Sequence, residues 1–154
     1  MKLVYLKPGK EKAIANKHPW IFSGAVGRID DSIEPGDVVL VKDASGKDLA
    51  VGHWCSNNGL VCRIFSFGDG SIDGLFEKRL LLAKKLRKSL NLPSKNTNGY
   101  RLIHGEGDGL SGLVVDIFSD TASIQLSNPG FKSQIMKLCD FLDVKSIFFA
   151  DTNG

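Results

Sequence analysis

Residues 34–67 read EPGDVVLVKDASGKDLAVGHWCSNNGLVCRIFSF, three turn signals set between runs of β-branched and aromatic residues. Pro35-Gly36 supplies a fixed φ and then freedom to take a positive one, as a type II turn requires, so a strand is expected from Val38 to Val41. Ser45-Gly46 reverses the chain into a strand from Leu49 to Trp54. Asn58-Gly59, a favoured type I′ pair, reverses it again into Leu60 to Phe67. Three short strands joined by tight turns predict a strongly bent sheet or barrel.

Upstream, Pro8-Gly9 ends a first strand, Lys10 to Lys17 has the residues for about two helical turns, and His18-Pro19 stops them before an apolar strand from Trp20 to Val26. Downstream, Gly68-Asp69-Gly70-Ser71 reads as a linker. Asp73 is placed to cap a helix whose apolar positions Phe76, Leu80, Ala83, Leu86 and Leu90 recur at helical spacing, and Leu92-Pro93 closes it. Strands are then expected at Tyr100 to His104, Leu113 to Phe118 and Thr121 to Leu126. Asn128-Pro129 opens a further helix with the stripe Phe131, Ile135, Leu138, Cys139 and Leu142, a core face, and Ser146 to Ala150 is a last apolar strand. The expected class is α+β. A small β module spans residues 1–70, and a small α/β domain with a mainly antiparallel sheet spans 71–154.

With 154 residues, 42% of them hydrophobic and 24% charged, the chain has the composition of an ordinary folded domain rather than a disordered or fibrous segment. No run approaches the roughly 18 apolar residues of a membrane span, so a cytoplasmic protein without a membrane partner is expected. Cys55, Cys62 and Cys139 form no C-x-x-C pair, and the odd count argues against a disulfide framework. His53, Cys55 and Cys62 lack the tight spacing that structural zinc favours, so no metal site is expected.

The formal charge of +3 is distributed in blocks. Residues 1–28 sum to +5, residues 29–74 to −5, residues 75–90 to +5 and the remainder to −2, so basic charge is concentrated in two short stretches, each able to meet a polyanion.

Gly107-Asp108-Gly109-Leu110-Ser111-Gly112 matches G-x-G-x-x-G, yet a cofactor-binding loop needs a helix to begin inside the motif. The β-branched and aromatic run Leu113 to Phe118 follows instead, so these glycines are expected to build a hairpin or bulged turn. Glu106, Asp108 and Asp116 are better suited to receiving backbone amides in a tight turn than to acid–base work. No nucleophile–base constellation stands out around His18, His53 and His104, and no catalytic residue is assigned. A complete small nucleotide-binding enzyme using residues 105–112, or a stand-alone RNA or protein interaction module, remain as alternatives.

The stretch best suited to RNA is the first basic block. Lys7, Lys10, Lys12 and Lys17 run directly into His18 and Trp20, a combination in which amines meet phosphates and a ring stacks on an unpaired base. Phe22 lies at period two from Trp20 and is read as core. Lys84, Lys85 and Lys88, on the polar face of the expected helix, form a second candidate phosphate-tracking face.

The strings Lys7-Pro8-Gly9-Lys10-Glu11-Lys12, His18-Pro19-Trp20-Ile21-Phe22-Ser23-Gly24-Ala25 and Tyr100-Arg101-Leu102-Ile103-His104-Gly105-Glu106, with Asp108-Gly109-Leu110 and Gly112-Leu113-x-Val115-Asp116, resemble bacterial ribosomal RNA large-subunit cytosine-5 methyltransferases. The resemblance covers nearly the whole chain and implies a PUA-like RNA-binding pseudo-barrel over residues 1–70, followed by the small α/β domain. It also implies ribosomal RNA as partner and, for a full-length protein, S-adenosylmethionine as cofactor. The cofactor loop and catalytic cysteine of that family would lie beyond residue 154, leaving this chain with a docking role, no cofactor of its own and no methyl transfer. Ser111 stands where the family pattern has proline, and Trp54-Cys55-Ser56 where it has tyrosine and then proline.

Overall fold

Alternation of apolar and polar residues lays down the first strands. The computed structural model describes residues 1–55, 59–68, 72 and 74–151, the last by its backbone alone. The expected turn residue Asn58, the linker positions 69–71 and the expected cap Asp73 lie outside them. By backbone contacts the chain divides into two units, Met1–Ile72 with Asn128–Gly130, and Asp73–Ser127 with Phe131–Gly154.

The first unit contains β1 (Lys2–Leu6), α1 (Lys12–Ala15), β2 (Trp20–Phe22), β3 (Val26–Ile29), β4 (Val38–Lys42), β5 (Asp48–Trp54) and β6 (Leu60–Phe67). They form one sheet in the order β2-β6-β5-β4-β1-β3. β1 and β4 run parallel, and the other pairs are antiparallel. The two outermost strands, β2 and β3, are joined by a single 3-10 turn, Ser23–Ala25. Such a turn spans about 6 Å, whereas a flat six-stranded sheet is about 24 Å wide, so the sheet must curl until its edges nearly meet. This is the bent barrel expected from residues 34–67. Its interior holds Val4, Leu6, Ile14, Ile21, Val39, Val41, Ala50, Cys62 and Ile64.

Two expectations change here. The apolar run from Trp20 to Val26 is not one strand, because the barrel closes through its middle and forces the turn at Ser23–Ala25. The helix after Gly9 shrinks to the four residues of α1, ended by Lys17 at φ 61°. The turn at Pro35-Gly36 forms as expected, with Gly36 at φ 95°. Asp37 fastens it, accepting the Glu34 amide at 2.7 Å and the Lys2 Nζ at 2.6 Å.

The second unit contains α2 (Leu75–Ser89), β7 (Gly99–His104), β8 (Leu113–Phe118), β9 (Thr121–Leu126), α3 (Ile135–Phe141) and β10 (Ser146–Asp151). Its sheet runs β10-β9-β8-β7, antiparallel except where β10 lies parallel to β9. Phe76, Leu80 and Ala83 of α2 are buried, as are Ile103, Leu113, Val115, Ile124, Phe131 and Leu138. Leu86 and Leu90, expected on the buried stripe, are 49% and 62% exposed, because the buried face of α2 extends only as far as Ala83. α3 also starts later than expected. Pro129–Gln134 is a 3-10 segment, in which Asn128 Oδ1 accepts the Gly130 amide at 3.1 Å as a capping side chain would. β10 occupies the sheet edge with Phe148 and Phe149 exposed.

Candidate nucleic-acid interface

Ile21 points into the first unit's core and is 2% exposed, so the pleat turns its neighbours Trp20 and Phe22 to the opposite side. Trp20 is half-buried and Phe22 is 48% exposed. The shared face inferred from the period of two is correct. The placement of Phe22 in the core is not, because β2 is a three-residue edge strand with a single inward position. His18 completes the group, with ring centroids 5.9 Å from Trp20 and 6.5 Å from Phe22, while Trp20 and Phe22 stand edge to face at 6.3 Å. The His18 Nδ1 lies 3.2 Å from both the amide nitrogen and the carbonyl oxygen of Trp20, which fixes the imidazole over the start of β2.

These rings border an open pocket of about 190 Å³ whose wall is completed by Leu6, Ala13, Ile14, Ile21 and Ala25, with Lys10 as its cation. Lys7, Lys12 and Lys17 are exposed. Lys7 donates to the Gly24 carbonyl at 3.2 Å, and the Lys17 Nζ sits 4.9 Å from the Phe67 ring centre. Lys12 lies on α1, whose buried residue is Ile14. Arg63, in β6 opposite Trp20, has its guanidinium 5.9 Å from the indole centre. Sequence reasoning missed Phe22 and Arg63. The interrupted apolar run Trp20 to Val26 was the signal for Phe22, and Arg63 had none, since it reaches Trp20 only through strand pairing.

In the second unit the cations of α2 separate by type. Arg79 donates to the Gly109 carbonyl at 2.5 Å. Arg87 forms a two-pronged pair with Asp108 at 2.6 and 2.7 Å and also reaches the Arg101 carbonyl at 2.9 Å. The side chains of Arg87 and Asp108 are 11% and 7% exposed. Burial pulls the Asp108 carboxyl up, but the Arg87 guanidinium and the His104 amide outweigh it and hold the group below the usual carboxylate range. Lys84, Lys85 and Lys88 remain exposed, with the Lys84 Nζ 5.0 Å from the Phe141 ring centre.

The glycine-rich segment forms a 3-10 turn over Gly105–Asp108 and passes into β8, so no helix begins inside it. Its two carboxylates, Glu106 and Asp108, and Asp116 of β8 serve structure. Asp108 Oδ2 accepts the His104 amide at 2.7 Å, Glu106 accepts the Ser111 hydroxyl at 2.7 Å, and Asp116 pairs with Arg101. That bond gives the buried Ser111 a place where the family pattern has proline.

Among the described residues, no group of three His, Cys, Asp or Glu side chains is placed to hold a metal. Burial pushes the Cys62 and Cys55 thiols up, so neither is an activated nucleophile. His53 is 5% exposed and stacks on Phe65, and the amide nitrogen of Asn128 lies 3.1 Å from its Nδ1. Burial lowers its imidazole to about 4. No helix among the described residues is long and apolar enough to cross a membrane.

Residues 4–67, which span the curled sheet of the first unit, match the PUA-like domain family. The first unit is a PUA-like domain. Over most of its length the chain is also similar to curated proteins named ribosomal RNA large subunit methyltransferase I. It is 40% identical over 131 residues to that of Erwinia tasmaniensis, covering 84% of this chain and 33% of the relative. It is 38% identical over 136 residues to that of Escherichia coli, covering 87% and 34%. The chain thus spans about a third of the length of these relatives. Among solved structures, a Streptococcus mutans protein provisionally assigned as a SAM-dependent methyltransferase superposes with a TM-score of 0.82 at 18% identity, over 98% of this chain and 41% of that one. A second, a provisionally assigned methyltransferase complexed with SAH, gives 0.81. At that identity the likeness is one of fold.

Proposed function

We propose that this chain is the RNA-docking portion of an S-adenosylmethionine-dependent ribosomal RNA cytosine-5 methyltransferase acting in the cytoplasm, with catalysis residing in a domain outside these 154 residues. The observation that carries this reading is the exposed strip on the PUA-like domain. Lys10, His18, Trp20 and Phe22 surround one apolar pocket, with Lys7, Lys12 and Lys17 exposed on the same domain. RNA is bound through unpaired bases that stack on aromatic rings and through phosphates that meet amines, and this surface offers both. The relatives' names supply the substrate class.

The cofactor would be held by the missing domain, because residues 105–112 do not build a site for it. A nucleoside cofactor needs free amides at a helix N-terminus, whereas this turn leads into a strand and its Gly109 and Leu110 amides already donate to the Glu106 and Gly105 carbonyls. Calorimetry of the chain with S-adenosylmethionine should give no binding heat. Micromolar binding would favour the complete small enzyme instead.

Binding of a fluorescent single-stranded ribosomal RNA fragment, followed against salt, is the direct test. Affinity should fall steeply with salt, and replacing Lys10, Lys12 and Lys17 together by alanine should reduce the slope of log K against log salt by about 2, at about 0.7 per phosphate contact. Trp20→Ala and Phe22→Ala should each weaken binding by roughly 1 to 3 kcal/mol, the range for loss of a stacked base. Salt-independent affinity, or affinity that survives the triple replacement, would sink the assignment.

A further inference from the structure

A second cleft lies in the other unit, between the C-terminal half of α2 and β7. It has two lobes, of about 340 and 360 Å³, which share Lys84, Pro93, Tyr100 and Leu102 as walls. Each volume lies in the range of sites that hold small organic ligands. The lobes differ in chemistry. One adds Lys88 and Asn91, giving two cations and no anion, while the other adds the polar Asn98, Ser119 and Asp143 among the apolar Ile117, Phe141, Leu142 and Val144, giving a largely apolar end with a few hydrogen-bonding groups.

This polarity matches a nucleotide. The ammonium groups of Lys84 and Lys88, one helical turn apart on α2, are spaced to meet one phosphodiester from the same side. The Lys84 amine sits over the Phe141 ring, which places it at the junction of the two lobes. The Tyr100 ring, half-buried and lining both lobes with Lys84, offers a flat apolar surface to the cleft. The Asn98 amide both donates and accepts, as base edges require. The arginines Arg79 and Arg87 are committed to the glycine turn and to Asp108 and line neither lobe, so the cations of the cleft are the exposed lysines.

From this geometry we infer that the cleft seats one nucleotide of the RNA, its phosphate on Lys84 and Lys88 and its base on Tyr100. The inference rests on the chain being an RNA binder and adds a contact separate from the PUA-like domain. The source of the nucleotide is the polymer rather than a free mononucleotide, because the cleft is open and its cations sit on a continuous exposed helix face, where a strand can enter and leave.

The test uses the whole chain with a 12-nucleotide single-stranded RNA carrying 4-thiouridine. Irradiation should give an RNA adduct on the peptide containing Tyr100. Lys84→Gln with Lys88→Gln should lower the salt slope by about 0.7, the value for the one phosphate contact they share, while Lys78→Gln, exposed on the same helix but away from the cleft, should leave it unchanged. All three positions are exposed, so these variants keep the fold, and melting curves verify that. An unchanged slope with no Tyr100 adduct, while Lys10, Lys12 and Lys17 still govern affinity, overturns this inference and spares the functional reading. Absence of RNA binding altogether overturns both. Micromolar binding of free 5′-AMP that blocks the Tyr100 adduct also overturns it, by marking the cleft as a mononucleotide site.

Discussion

His53 shows how far a single residue can depart from its reading in the sequence. There it is one member of a loose His–Cys group, whereas in the fold it is a neutral core imidazole bonded to a side chain 75 positions away. A Cβ on Gly130 would come within 2.1 Å of its ring, so the glycine is required for the ring to fit. Nothing local announces such a partner. A consequence for stability follows from its lowered pKa. The folded ring takes up a proton only near pH 4, the unfolded one near 6.5, so between these values the unfolded chain binds more protons and stability falls as pH is lowered. The contribution is complete above pH 6.5 and lost by about pH 4, a change of about 3 kcal/mol. Urea unfolding measured at intervals from pH 7.5 to 4.5 should show this slope in the native sequence and a flattened one in His53→Gln. Phe22 teaches a related lesson: alternation gave its face correctly, but which face is inside depends on the strand's place in the sheet.

At the level of the element, α2 divides its labour in a way its sequence half discloses. Helical spacing predicted the buried Phe76, Leu80 and Ala83, and the basic character of the remaining face was equally legible. The pattern could not show where the underlying sheet stops, which leaves Leu86 and Leu90 exposed, nor that the arginines would be claimed by the glycine turn. The pair Arg87–Asp108 is the clearest case, since two nearly buried charges are joined across 21 positions. Removing one partner strands the other, a change that costs about 3 to 5 kcal/mol in comparable sites. Arg87→Met should therefore lower the unfolding free energy by roughly 3 kcal/mol at pH 7, and adding Asp108→Asn should restore part of it, read by urea melts of the single and double variants. If Arg87→Met melts like the native chain, the pair has no structural role.

For the whole molecule, the bend of the first sheet was legible because turn chemistry is local: Pro35-Gly36 and Ser45-Gly46 each act within a few residues, and together they dictate a bent sheet. Which strands form its two edges was not, because β2 and β3 are neighbours in sequence and strand order is a long-range property. The candidate surface was legible in its charge and only partly in its rings, for the same reason. One long-range feature also bears on handling. β10 ends its sheet with an open hydrogen-bonding edge, and Phe148 and Phe149 are 69% and 47% exposed beside it. An edge ribbon with exposed aromatic side chains recruits further ribbons from other molecules. Concentrated stocks of the 154-residue polypeptide should accordingly turn cloudy on standing, in proportion to protein concentration, and Phe148→Lys should keep them clear by light scattering.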